Sequence, residues 1–197
     1  MKQISRIALG LFIATMALTS CSKSELGTET PAKPSIYARL GGTTMVQDPD
    51  AAAGVMIEKG RLSYRKVVNS TIGLIVADIS PTPQPGNLGA HFAPILSETG
   101  MTQATSIARL SKNLVDFFSF NTGGTSASNT YTGLNMSVAH NPANNPRMGA
   151  KSNTAQYTKF VGYVGAAANT NGVASNTELY TDIVAVMESL RSTIVQI

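Results

Sequence analysis

The sequence predicts an all-α domain, and three observations carry the prediction. The segments with a strong apolar pattern repeat at three- to four-residue spacing, the period of a helix. Gly41-Gly42, Gly123-Gly124 and Asn169-Thr170-Asn171-Gly172 break the pattern between segments. No pair of alternating apolar segments around a tight turn signals a hairpin. Helices that each carry one apolar face bury it against one another, which is the helix-on-helix architecture.

In chain order, residues 1–21 read as a signal peptide: Lys2 and Arg6 make a positive start, and Ile7 to Leu18 an apolar run too short to span a bilayer comfortably. Leu18-Thr19-Ser20-Cys21 resembles the bacterial lipobox, in which the cysteine is acylated and becomes the new N-terminus. An ordinary secretory signal with an incidental cysteine is the alternative. Cys21 is the only cysteine, so it has no internal disulfide partner, and its place at the end of an apolar run fits lipidation. Ser22 rather than Asp follows it, which resembles default sorting to the outer membrane of a Gram-negative cell. Residues 22–34 are polar, hold Thr30-Pro31 and Lys33-Pro34, and lack apolar periodicity, as expected of a flexible tether between lipid and domain.

Residues 35–197 are the expected domain. Ser35 is placed to cap a single helical turn that ends at Gly41-Gly42. An extra short helix is expected near 50–59, after Gln47-Asp48-Pro49-Asp50 and the small residues Ala51 to Gly54. Leu62–Asp78 follows as a helix, because Val68, Ile72, Ile75, Val76 and Ile79 keep a helical spacing despite their strand propensity. Pro81, Pro83 and Pro85 mark a loop that runs on to His91-Phe92. A core helix from about Thr102 to Phe120 carries Ile107, Leu110, Leu114, Phe117 and Phe118 on its apolar face.

Two further helices close the domain. Asn153 to Ala168 shows Tyr157, Phe160, Val161 and Val164 on one face. Ser175-Asn176-Thr177-Glu178 has the capping-box pattern of a helix start, and Leu179, Ile183, Val186, Met187, Leu190 and Ile194 form the stripe that follows.

The chemistry concentrates in Tyr131-Thr132-Gly133-Leu134-Asn135-Met136-Ser137-Val138-Ala139-His140, which contains one of only two histidines. Met136 and His140 lie four residues apart, so in a short helix both face the same way. A neutral imidazole with a soft thioether one turn earlier suits a metal or a haem iron, and a histidine packed at a helix end near Pro142 is the alternative. Charge points nowhere else. The chain has 15 basic and 11 acidic residues, and loss of Lys2 and Arg6 leaves 13 against 11, a net +2. That balance, with no basic cluster interleaved with aromatics, argues against nucleic acid.

Y-T-G-x-x-M-x-x-A-H resembles the proximal-histidine motif of the truncated haemoglobins of group I. Ser35-Ile36-Tyr37-Ala38-Arg39-Leu40-Gly41-Gly42 resembles that family's opening block. Arg109-Leu110 through Leu114-Val115-Asp116-Phe117-Phe118 with Thr122-Gly123-Gly124 resembles its distal helix, and Leu190-Arg191 with Ile194-Val195 its closing block. Val67-Val68 and Ala77-Asp78 match the two ends of its second helix. The resemblance implies a truncated globin-like, two-over-two helical fold with extra loops at 43–60, 81–90 and 141–151.

It also implies a b-type haem (haem b), with His140 as the iron ligand, Tyr131 and Met136 beside it and Phe92 packed on the porphyrin. Ile72, Leu110 and Leu114 would wall the distal side, where many relatives carry a hydrogen-bonding Tyr or Gln. Tyr64 lies two turns before Ile72 and substitutes poorly for such a donor. His91 is expected at a loop or pocket rim, with an approach to the iron or a propionate as the alternative. Arg147 and Lys151 could pair with propionates, although each alone reads better as a solvated loop charge.

Three functions stay open on these residues. The first is a haem lipoprotein of the cell envelope that binds a diatomic gas (O2, NO or CO) or acts in redox or sensing, its redox partner unidentified. The second is an enzyme of the same fold such as a nitric-oxide dioxygenase, for which an apolar distal wall supplies no donor. The third is a globin-like domain without haem that serves as a structural or interaction lipoprotein.

Overall fold

In the computed structural model, residues 32–78 and 86–197 are described. The expected signal peptide, Cys21, most of the tether and the proline loop from Pro81 to Pro85 lie outside them. Pro34–Ile197 form one compact unit, and helices dominate it. The longest are α2 (Lys59–Ala77), α4 (Gly100–Asn121), α6 (Thr154–Thr170) and α7 (Glu178–Ser189). Helix α2 packs against both α4 and α6, and α7 packs on α6.

Ser35 caps α1 (Ile36–Arg39) as its sequence suggests, its Oγ accepting from the Ala38 N–H at 3.1 Å. Gly41 follows at φ 114°, a conformation only glycine adopts without strain, and the chain turns back there. Tyr37 points into the core, where its ring lies so close to Gly60 that a Cβ at that position would sit 2.7 Å from it. Tyr37, Tyr64, Val68, Ile72 and Val115 form one core cluster joining α1, α2 and α4.

Residues 50–59 do not form the extra helix. Met45–Gln47 (β1) and Met56–Glu58 (β2) pair antiparallel instead, with Val46 opposite Ile57. The three alanines sit between Pro49 and Gly54, and Gly54 takes φ 87°, so the available run is too short to pay for a helical nucleus. The turn is held by local bonds: Asp48 N–H donates to the Val55 carbonyl at 2.8 Å, and Gln47 Oε1 accepts from Gly54 N–H at 2.9 Å. The absence of a hairpin signal therefore misled, because this connection is long and closed by side chains rather than by a two-residue glycine turn.

Helix α2 begins three residues earlier than Leu62, directly after β2. His91 and Phe92 lie not in a loop but on α3 (Gly89–Leu96), with Asn87 Oδ1 accepting from the Gly89 N–H at 2.6 Å where the helix starts. Asn153 and Gln156 make a reciprocal capping box at the head of α6. Thr177, not Ser175, caps α7, since its Oγ1 accepts from the Tyr180 N–H at 3.2 Å. The apolar stripe of the last segment also crosses a break: Leu190 ends α7 and opens α8 (Arg191–Ile194). That break lets Ile194 bury against the neighbourhood of α5 (Met136–Ala139).

Candidate functional site

Helix α5 is only four residues long, too short to persist without help. Asn135 supplies some of it, its Oδ1 accepting from the Val138 N–H at 2.9 Å, and Asn145 donates to the Ala139 carbonyl at 2.7 Å from the far side. His140 is the C-cap. The following loop is pinned to α3 by the Gly149 N–H, which donates to the His91 carbonyl at 2.8 Å. This approach requires glycine, because a Cβ at 149 would lie 2.3 Å from the Ala90 carbonyl oxygen.

Between these elements lies a cavity of about 190 Å³ that opens to solvent. Ile72, Phe92, Leu110, Leu114, Tyr131, Met136 and His140 all line it, brought together from five segments of the chain. The lining is overwhelmingly apolar; Ile75, Leu88 and Met148 also line it and pack with Phe92 and Ile95. Tyr131 turns its hydroxyl away to the Leu134 carbonyl at 2.6 Å and sets its ring edge-on to Phe117.

The two histidines meet here. His91 Nε2 and His140 Nδ1 are 3.2 Å apart, and the rings lie nearly parallel, 12° apart with centroids 5.4 Å distant. His91 Nδ1 in turn lies 2.7 Å from the Ala150 carbonyl oxygen and 3.2 Å from Ser152 Oγ. Burial pushes the His140 imidazole down to about 4, and the neighbouring His91 pushes the same way. Burial also lowers His91, against the opposing pull of the Ala150 carbonyl. Both rings are therefore neutral at pH 7. Among the described residues, His140 Nε2 has no hydrogen-bond partner.

Of the remaining candidates, His91 lines the cavity, whereas Tyr64, Arg147 and Lys151 do not. His91 is a buried partner of His140 rather than a rim residue. Tyr64 hydrogen-bonds Thr122 Oγ1 at 2.5 Å and faces a separate apolar cavity with Val67, Val164 and Ile183. Arg147 is held by both carboxylate oxygens of Glu98 at 3.1 Å, and among the described residues no Lys or Arg lines the large cavity. Neither Arg147 nor Lys151 is thus placed to meet an anion inside it.

Asn113 is a pocket residue that the sequence reading did not single out. It lines the mouth, and among the lining polar side chains it alone makes no hydrogen bond within the described residues. Leu110, Asn113, Leu114 and Phe117 follow the i, i+3, i+4, i+7 spacing of one helix face, so periodicity alone could have found it.

Comparison of the chain with protein-family models, with curated proteins and with solved structures gives no match. Among the described residues no group of three or more His, Cys, Asp or Glu is arranged to hold a metal ion. A neutral imidazole with Nε2 free beside an apolar cavity suits a haem, whose porphyrin would bring its own four nitrogens, better than a bare ion.

Proposed function

We propose that this protein is a haem-binding, truncated globin-like lipoprotein of the cell envelope, with His140 as the axial ligand. The observation that carries the proposal is His140 itself: neutral, anchored through Nδ1, and with Nε2 uncommitted at the wall of the large apolar cavity. The packing of α2 on α4 and of α6 on α7 supports a two-over-two globin arrangement, as do the four sequence blocks.

A haem bound there supplies iron that takes a diatomic gas or exchanges one electron. The chain supplies the rest. Phe92 contributes an aromatic ring to the lining, and Ile72, Leu110 and Leu114 contribute aliphatic side chains that disfavour water. Those aliphatic side chains offer dispersion but no hydrogen bond, and Asn113 at the mouth is exposed to solvent. A gas-binding, redox or sensing role follows more readily than a nitric-oxide dioxygenase, which benefits from a donor aimed at developing charge. Among the described residues no Lys or Arg lines the cavity, so no side-chain cation there would pair with a haem propionate.

That lack of a cation is also what favours the alternative, a haem-free structural or interaction lipoprotein. An absorption spectrum of the purified protein, freed of residues 1–21 and supplied with haem, decides between them. A stoichiometric Soret band supports the haem protein, and its absence supports the alternative. The anchor is tested separately: Cys21→Ala should leave an unlipidated precursor, and a soluble, cleaved form of the unmutated protein would overturn the lipoprotein assignment.

A further inference from the structure

We infer that His91 is a positioning residue for the axial histidine, holding the His140 ring through Nδ1 so that Nε2 faces the cavity. The inference rests on the proposed haem-binding role of His140 and adds to it the group that sets its orientation and basicity. A carbonyl oxygen only accepts, so the 2.7 Å contact with Ala150 places a proton on His91 Nδ1. Ser152 Oγ, 3.2 Å away, shares that proton as a second acceptor.

With Nδ1 protonated, neutral His91 has a lone pair at Nε2. His140 Nδ1 at 3.2 Å must then carry the proton that joins them, and the lone pair of His140 is left on Nε2. The chain of contacts runs from backbone to His91 to His140, and the backbone end is the rigid one: Ala150 belongs to the loop that Gly149 clamps onto the helix carrying His91. An acceptor on the far nitrogen of a ligating histidine fixes its tautomer, locks its ring plane and raises its basicity. Here the acceptor is a second imidazole, more polarisable and more basic than a carbonyl oxygen. No other part of the described structure places a polar side chain against His140 Nδ1.

The test combines nitrogen-resolved NMR of the haem-free protein with haem-loaded variants. In the unmutated apoprotein, His140 should be the Nδ1–H tautomer with its proton bonded to His91 Nε2. An Nε2–H tautomer would overturn the inference whether or not haem binds. His91→Leu, which keeps the bulk and removes the acceptor, should lose haem about 10- to 100-fold faster. It should also raise the ferric–ferrous midpoint potential and lower the iron–histidine stretching frequency. His91→Gln returns an acceptor and should restore both spectroscopic readouts toward the unmutated values, which a merely structural role for His91 would not produce. Unchanged potential and stretching frequency in His91→Leu would overturn the positioning role while leaving haem binding intact. Failure of the unmutated protein to take up haem would instead overturn the proposed function, and with it any role of His91 toward iron.

Discussion

The two ends of α2 are built on opposite principles. At its N-terminal end, Glu58 accepts from the Tyr37 hydroxyl and from Asn129 Nδ2 at 2.9 Å, while Arg61 donates to Asp116 at 2.6 Å and to the Ser128 carbonyl at 2.7 Å. Arg65 pairs with Asp48 of the hairpin turn at 2.6 Å. The stacked rings of Tyr37, Tyr64 and Phe118 fill the space beneath. Further along the same helix, Ile72 and Ile75 face the large cavity, whose lining is mostly apolar and holds the paired imidazoles.

The difference separates where stability is stored from where a ligand fits. Charged groups taken out of water are costly unless each finds partners, so the N-terminal end is tightly specified and has little room to change. The cavity forgoes packing contacts that a filled core would make, and such hollows persist only where the surrounding elements are held by other means. The clamp at the N-terminal end and the loop pinned by Gly149 are those means.

The largest expected effect lies at the cavity. His140→Ala should abolish stoichiometric haem retention while leaving helix content near that of the unmutated protein, measured by absorbance and circular dichroism. Haem retained at full stoichiometry would sink the axial assignment.

At the clamp the opposite pattern is expected. Tyr37→Phe strips Glu58 of a buried partner and should cost about 1–3 kcal/mol of stability, read from denaturant unfolding, with haem uptake unchanged. A loss of haem affinity as large as the loss of stability would show that the two ends are not independent.

The distal wall gives an effect of similar size but of another kind. A strong hydrogen bond introduced by Ile72→Tyr or Leu114→Gln should slow oxygen release by about five- to a hundred-fold, corresponding to roughly 1–3 kcal/mol. Carbon monoxide, the less polar ligand, should respond much less. Stopped-flow rates check this, and slow release from the unmutated protein would make Asn113 the donor to remove next.

Acid should act first through His140: its buried imidazole, down at about 4 against an ordinary 6.5, binds its proton less tightly in the folded protein, so stability declines as the pH falls from about 6.5 towards 4. The carboxylates of α2 and its surroundings act at lower pH. Burial pushes Asp116 up, but its hydrogen bonds from Arg61 and Lys112 and their charges outweigh it and hold the carboxyl below its usual range. Burial likewise opposes the lowering of Glu58, where Ser126, Tyr37, Asn129 and Arg61 prevail, and of Asp78, where Lys159 and the Leu88 N–H do. Each binds its proton less tightly in the folded protein, so its stabilisation is complete above the unfolded carboxylate range, near pH 4. It is lost as the pH falls through the folded values. Denaturation midpoints should therefore decline from about pH 6.5 through His140 and fall further below about pH 4 through the carboxylates, and Asp116→Asn should flatten the second part of that fall. An unchanged slope would assign acid sensitivity to other groups.

By itself the sequence determined what local physics controls. Apolar spacing along Val68, Ile72 and Ile75 and along Leu110, Leu114 and Phe117 sets two long helices, because a helix face repeats within a few residues and needs no distant partner to be seen. The caps at Ser35 and the turn at Gly41-Gly42 are local in the same sense. The tertiary structure alone decided the rest. Pairing of β1 with β2 depends on a turn closed by the side chains of Asp48 and Gln47, which no strand pattern announces. His91 and His140, 49 residues apart, meet because the loop after α5 folds back onto α3, and the only local mark of that contact is a glycine at 149. A contact between distant residues depends on how whole helices dock, and docking is chosen by the sum of many weak apolar contacts rather than by any one residue pair.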